Sequence, residues 1–125
     1  MGANENRQAV EAFWRLVEQQ DWDAAGALLH DDFVQEWPQS GERLRGRDNS
    51  MAVNKNYPGI PSVTVRRMLA GGDLVTSEVT LDYGGTLYLG VSVFEFRDGR
   101  IISQTDYFAE PFQAPEWRAQ WVERM

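Results

Sequence analysis

Cysteine is absent from the 125 residues, and histidine occurs once, at His30. Disulfide frameworks, thiolate zinc sites and cysteine nucleophiles are thereby excluded, and a multi-histidine metal centre has no ligands to draw on. Metal chemistry is left to carboxylates, and Asp31, Asp32, Glu42 and Asp48 lack metal-loop spacing, so no metal is expected. Positive charge is scarce: 12 Lys+Arg stand against 19 Asp+Glu, a formal net charge of −7. The arginines are scattered, so a phosphate backbone would be repelled rather than held, and nucleic acid is not an expected partner. The segment between Gly41 and Gly46 holds no lysine followed by serine or threonine, which removes a Walker-type phosphate loop. No apolar run approaches the ~20 residues that span a bilayer. Gly2 to Arg7 is polar and leads into a helical pattern, unlike a signal peptide. A soluble, cytoplasmic protein without membrane partners is expected.

What is present is enough for one core. With 42% hydrophobic and 12% aromatic residues, a chain of this length forms a single domain over 1–125 and buries about two-thirds of its unfolded surface. Val10, Phe13, Trp14 and Val17 recur at helical spacing, predicting an amphipathic first helix of about four turns. Asp21 is placed to cap a second helix through Trp22, Ala25, Leu28 and Leu29, with His30 near its carbonyl end. Residues 33–37 read as a short strand ended by Pro38, because proline cannot donate to the ladder. Gly41 and Gly46 bracket a charged loop or hairpin, and 48–57 reads as a third helix stopped by the Pro- and Gly-rich stretch 57–61.

Segments 62–69, 74–83, 87–96 and 101–108 read as strands. They are separated by Gly71-Gly72-Asp73, Gly84-Gly85 and Asp98-Gly99, turns that tolerate positive φ, and most simply form an antiparallel meander. Residues 115–121 resemble a short terminal helix with proline in its first turn and tryptophans at i and i+4. Helices followed by strands indicate an α+β fold, with helices covering one face of a curved sheet.

This element order, together with Leu28-Leu29-His30-Asp31-Asp32-Phe33-Val34 and the closing strand from Asp98-Gly99-Arg100-Ile101 to Asp106-Tyr107-Phe108, resembles the cone-shaped nuclear transport factor 2-like superfamily and, within it, the SnoaL-like group. The resemblance spans nearly the whole chain. It implies a curved antiparallel sheet packed against N-terminal helices around a pocket. The closing strand is similar to that of limonene epoxide hydrolases, in which the aspartate at the Asp106 position faces the pocket and takes part in proton transfer. The other charged positions of that branch fall near Val79 and Leu81, neither of which moves a proton. The polar positions of the ketosteroid isomerase branch fall at Phe13, Trp37 and Ser92. Polyketide cyclases of the SnoaL type use a single acid/base aspartate and no metal.

The residues allow more than one role for each candidate. In the last strand Ile102, Gln104, Asp106 and Phe108 share one face, and Ile101, Ser103, Thr105 and Tyr107 the other. If the first set faces the interior, Asp106 is a carboxyl group among apolar neighbours, poised to exchange a proton. Alternatively it accepts hydrogen bonds from an arginine, an indole or Gln104 and fixes the core. Glu36 shares its strand face with Val34, so it is either a second inward carboxylate or a surface charge paired with Arg43 or Arg45. Trp37 is pocket wall or dimer contact. Phe13, Trp14 and Phe94 line a cavity or fill the core, and Tyr57 ends a rim helix where its hydroxyl would orient a substrate oxygen.

The activity that the SnoaL-like resemblance implies is a cofactor-independent acid/base reaction of isomerase, cyclase, dehydratase or hydrolase type on a small, mainly apolar carbonyl- or epoxide-bearing molecule. Asp106 and Glu36 are its catalytic candidates; Phe13, Trp14, Trp37, Tyr57, Phe94, Gln104 and Phe108 are its substrate-binding candidates. The competing expectation is a non-catalytic small-molecule-binding or dimerisation module. Under either, Leu87, Leu89, Val91 and Val93 form an apolar outer sheet face suited to a homodimer. Trp117 and Trp121 would cap the pocket or lock that interface.

Overall fold

In a computed structural model, which describes residues 2–59 and 61–125, two helices open the chain: α1, Ala3–Gln19, and α2, Trp22–Ala27. Val10, Phe13, Trp14 and Val17 are the buried stripe of α1. Gln20 takes a left-handed conformation that stops α1, and the Asp21 carboxylate accepts from the Ala24 N–H at 3.2 Å to start α2.

The second helix is shorter than its sequence suggests. Strand β1, Leu29–Trp37, begins where another helical turn was expected. Leu29 is fully buried there and pairs with Ile101, whose N–H donates to Leu28 O at 3.0 Å. Sheet pairing and core burial thus outweigh the helical spacing, and His30 lies in a strand instead of at a helix end. Its Nδ1 accepts from the Asp32 N–H at 3.0 Å, away from any site.

The charged segment after Pro38 is a hairpin arm, β2, Glu42–Arg45, followed by α3, Arg47–Asn56. Ile60, in the expected stop after α3, lies outside the described residues. Then come β3, Ser62–Gly71; β4, Leu74–Asp82; β5, Leu87–Arg97; and β6, Arg100–Ala109. The closing segment Glu116–Trp121 is a 3-10 helix.

The six strands form one curved, unclosed sheet in the order β2-β1-β6-β5-β4-β3. β3 to β6 are the antiparallel meander, while β1 lies parallel to β6. Helix α1 packs on β3 and β4, and α3 packs on β1, so helices cover the concave face and enclose the core. No described helix is long and apolar enough to cross a membrane.

One irregularity resets the phase of β6. Glu95 pairs with Ser103 but the next residue, Phe96, pairs with Ile101, so Ile102 is an extra residue in the ladder. Such a bulge breaks strict alternation. Ile101 is therefore buried in the core, on the side opposite to the one simple alternation gives, while Gln104, Asp106 and Phe108 keep their shared inward face.

Candidate functional site

Strand parity and cross-strand neighbours build the site. On β1, Phe33, Gln35 and Trp37 turn inward, and Val34 and Glu36 turn outward. On β6, Gln104 and Asp106 turn to the same interior, with Gln35 directly beside Gln104. Ser92 of β5 lies opposite Asp106. Asp106 thus sits where three strands converge, and it is fully buried.

Four side chains donate to its carboxylate. Gln35 Nε2 and Trp37 Nε1 reach Oδ2 at 2.6 and 2.9 Å. Ser92 Oγ and Gln104 Nε2 reach Oδ1 at 2.5 and 2.9 Å. Ser50 Oγ of α3 in turn donates to Gln35 Oε1 at 2.6 Å, tying the helix to the network. A carboxylate offers about four lone-pair sites, so Asp106 is saturated as an acceptor. No ion pair reaches it among the described residues. Gln104 Oε1, by contrast, is buried with no partner.

Above the carboxylate lies a cavity of about 110 Å³. Its wall includes seven aromatic side chains, Phe13, Trp14, Trp22, Trp37, Tyr57, Tyr83 and Phe108, together with Gln35, Gln104, Asn54 and Asp106. Among the described residues no lysine, arginine or histidine lines it. The volume is below the roughly 300 Å³ at which drug-sized ligand pockets start, so the space suits a compact molecule. Trp14 Nε1 donates to Ser77 Oγ at 3.1 Å, so that indole's polar edge is already engaged.

Tyr57 and Tyr83 line the cavity, and Tyr88 stands beside Tyr83. Tyr57 and Tyr83 lie 4.8 Å apart and Tyr83 and Tyr88 5.8 Å apart between ring centroids. Burial, and then its neighbours Tyr57 and Tyr88, push the Tyr83 phenol up to about 12. Tyr88 is also raised, chiefly by a hydrogen bond and charge interaction with Tyr57. Both phenols stay protonated through the neutral range and remain able to donate a hydrogen bond.

The candidates from the sequence are not all brought together here. Asp106, Gln104, Phe13, Trp14, Trp37, Tyr57 and Phe108 line the cavity. Glu36 does not: the inward turn of Gln35 and Trp37 puts it on the opposite face, where Arg43 Nε donates to it at 2.7 Å. Phe94 lies in the core, edge-on to Phe13 at 5.8 Å and to Trp14 at 6.2 Å, and is absent from the cavity wall. Gln35, Ser92 and Ser50, which the sequence does not mark as site residues, hold the network. Alternation says only that Gln35 shares a face with Trp37, and polar residues at inward positions of apolar strands are the signal that reveals Ser92. Among the described residues no group of three or more metal-ligating side chains occurs.

The SnoaL-like domain pattern matches residues 10–104, most of the chain. The protein belongs to the SnoaL-like family. Solved structures extend the likeness of this SnoaL-like protein to full length. A nuclear transport factor 2-like protein of unknown function from Burkholderia xenovorans LB400 is 39% identical, with 100% of this chain and 98% of the other covered and a TM-score of 0.87. A putative ketosteroid isomerase from Kribbella flavida DSM 17836 is 32% identical over 98% of this chain and 91% of the other, with a TM-score of 0.92. An LEH-like epoxide hydrolase from M. tuberculosis is 33% identical over 86% and 84%, with a TM-score of 0.75. No curated protein matches the chain. The SnoaL-like chain thus shares its fold and superfamily with isomerases and epoxide hydrolases.

Proposed function

We propose that this protein is a cofactor-independent acid/base enzyme that acts on a compact, mainly apolar molecule bearing a carbonyl or epoxide, with Asp106 exchanging the proton. The observation that carries this reading is the asymmetry of the Asp106 network. On Oδ2 the indole N–H of Trp37 can only donate, and Gln35 is held in place by Ser50. On Oδ1 both partners can reverse: a serine hydroxyl accepts as well as donates, and a half-turn of the Gln104 amide presents its unpartnered Oε1. A proton arriving at Oδ1 therefore finds acceptors without disturbing Oδ2. The aromatic wall excludes water around the reacting group, and Tyr57, which lines the cavity, is the hydroxyl that this reading assigns to a substrate oxygen.

The test uses exchange of α-hydrogens of compact ketones with D2O, followed by NMR, and opening of compact epoxides. The wild type accelerates one of these, and Asp106→Asn loses on the order of 10²-fold or more of that rate. An unchanged rate in a folded Asp106→Asn protein overturns the assignment.

The saturation of the carboxylate favours a second reading, a binding module in which Asp106 organises the pocket and never takes a proton. Ligand binding in the cavity without turnover of any such compound supports that reading. A homodimer through the outer sheet face is proposed under both.

A further inference from the structure

The cavity combines two features that do not suit a neutral ligand equally well. Its one ionisable carboxylate, Asp106, has no cationic partner among the described residues and no basic group in the wall. Yet its lone pairs are occupied by four donors. A neutral hydroxyl or amide entering the cavity must displace one of those donors to bond Asp106. A positive charge needs no lone pair, because Coulomb attraction acts without a directional contact and strengthens where water is excluded. The rest of the wall answers to the same ligand. Aromatic π-faces attract cations, most of all those that carry their charge on methyl or methylene groups and form few hydrogen bonds. Trp14 and Trp37 both line the cavity with their indole N–H already engaged, by Ser77 and by Asp106 itself, and Tyr57 and Tyr83 add two electron-rich rings to the wall. The volume of about 110 Å³ limits the charged part to a compact group. The acidic balance of the whole chain, −7, adds long-range attraction for a cation.

We infer that the cavity selects a compact quaternary alkylammonium group as the part of the substrate that seats against Asp106. The inference rests on the cavity being the substrate site, as proposed above, but not on proton transfer by Asp106. It narrows the substrate class to molecules that carry this cation beside the reacting carbonyl or epoxide.

The test is calorimetric titration of the full chain with choline and with 3,3-dimethylbutanol, the neutral isostere in which carbon replaces nitrogen. Choline is expected to bind at least about tenfold more tightly. Asp106→Asn, and separately Tyr57→Leu at the half-exposed rim, each reduce the choline-to-isostere affinity ratio threefold or more. Thermal melts confirm that each variant is folded, and the rim variant keeps the test intact should Asp106→Asn not be. Equal affinity for the two compounds overturns the inference and leaves the proton-transfer reading to its own exchange assay. A preference that survives both substitutions also overturns it, because the cation is then held elsewhere. Binding of neither compound overturns it together with the cavity as substrate site.

Discussion

Removing the Asp106 side chain leaves four donors facing one another, three of them buried. Each unsatisfied buried donor costs about 1–3 kcal/mol, so Asp106→Leu is expected to lose at least about 3 kcal/mol in urea unfolding. Asp106→Asn keeps the shape and can turn its Nδ2 toward Ser92 and Gln104, the two partners able to accept. Its loss is expected to stay within about 1.5 kcal/mol, the worth of one ordinary hydrogen bond. Equal losses in the two variants refute the reversible side of the network. Tyr83 makes a separate prediction about pH. Its phenol goes from an ordinary value of 10.0 to about 12 in the folded protein, so between those values the folded state holds a proton that the unfolded chain releases. Stability from this group is complete below pH ~10 and falls as pH rises toward ~12. Tyr83→Phe should flatten that alkaline decline in the melting temperature, and an unchanged slope refutes the cause. At this scale the sequence revealed only half of the site. The last strand showed Gln104, Asp106 and Phe108 on one face, because alternation there is unambiguous. In 33–37 each face holds both an apolar and a polar residue, so hydropathy could not say whether Gln35 or Glu36 turns inward; pairing with β6 and β2 decides it.

Gly90 shows how one position in a strand shapes the cavity. It lies between Val79 and Phe108 across the two ladders, and an added Cβ would stand 3.2 Å from Phe108 ring carbons and 3.3 Å from Val79 Cγ2. Phe108 is half-buried and borders the cavity, so it is the neighbour with room to move. Gly90→Ala is expected to push that ring into the cavity. The gain of about 0.5–1 kcal/mol from replacing a strand glycine offsets much of the crowding, so stability should shift by no more than about 1 kcal/mol while choline affinity falls several-fold. A retained affinity, measured by the same calorimetry, refutes the displacement. The elements themselves were largely readable from their boundaries. Gly72, Gly84 and Gly99 take positive φ where the sequence marks the turns of the meander, and the stripe of α1 is a simple period. The misplaced helix end at Leu28-Leu29 and the bulge at Ile102 were not readable, because both are decided by one contact distant in sequence, Leu29 beside Ile101.

For the molecule as a whole, the inner and outer faces of the sheet have different partners. Helices cover the inner face, whereas Leu87, Leu89, Val91 and Tyr107 stay exposed on the outer one, and Val65 is exposed on β3. Trp117 and Trp121 of the closing 3-10 helix are 74% and 72% exposed, with Phe112 and Val122 also uncovered. Large contiguous apolar surface is unusual on a monomer. An isologous dimer covers such a face with its own copy and closes after two subunits, which leaves no edge for further growth. The proposed homodimer therefore predicts a light-scattering mass near twice the 14.3 kDa chain at micromolar concentration. Introducing like charges by Leu89→Lys with Val91→Lys should return it to the single-chain mass, because two copies of the patch would then bring lysines together in a desolvated contact. Removing Trp117 and Trp121 separates the remaining roles of the terminal segment. If that segment locks the interface, the double alanine variant dissociates at higher concentration with choline affinity intact. If it caps the pocket, affinity falls and the mass is unchanged. A wild-type chain that runs at 14.3 kDa across the whole range refutes the dimer and leaves the outer face without the partner proposed for it.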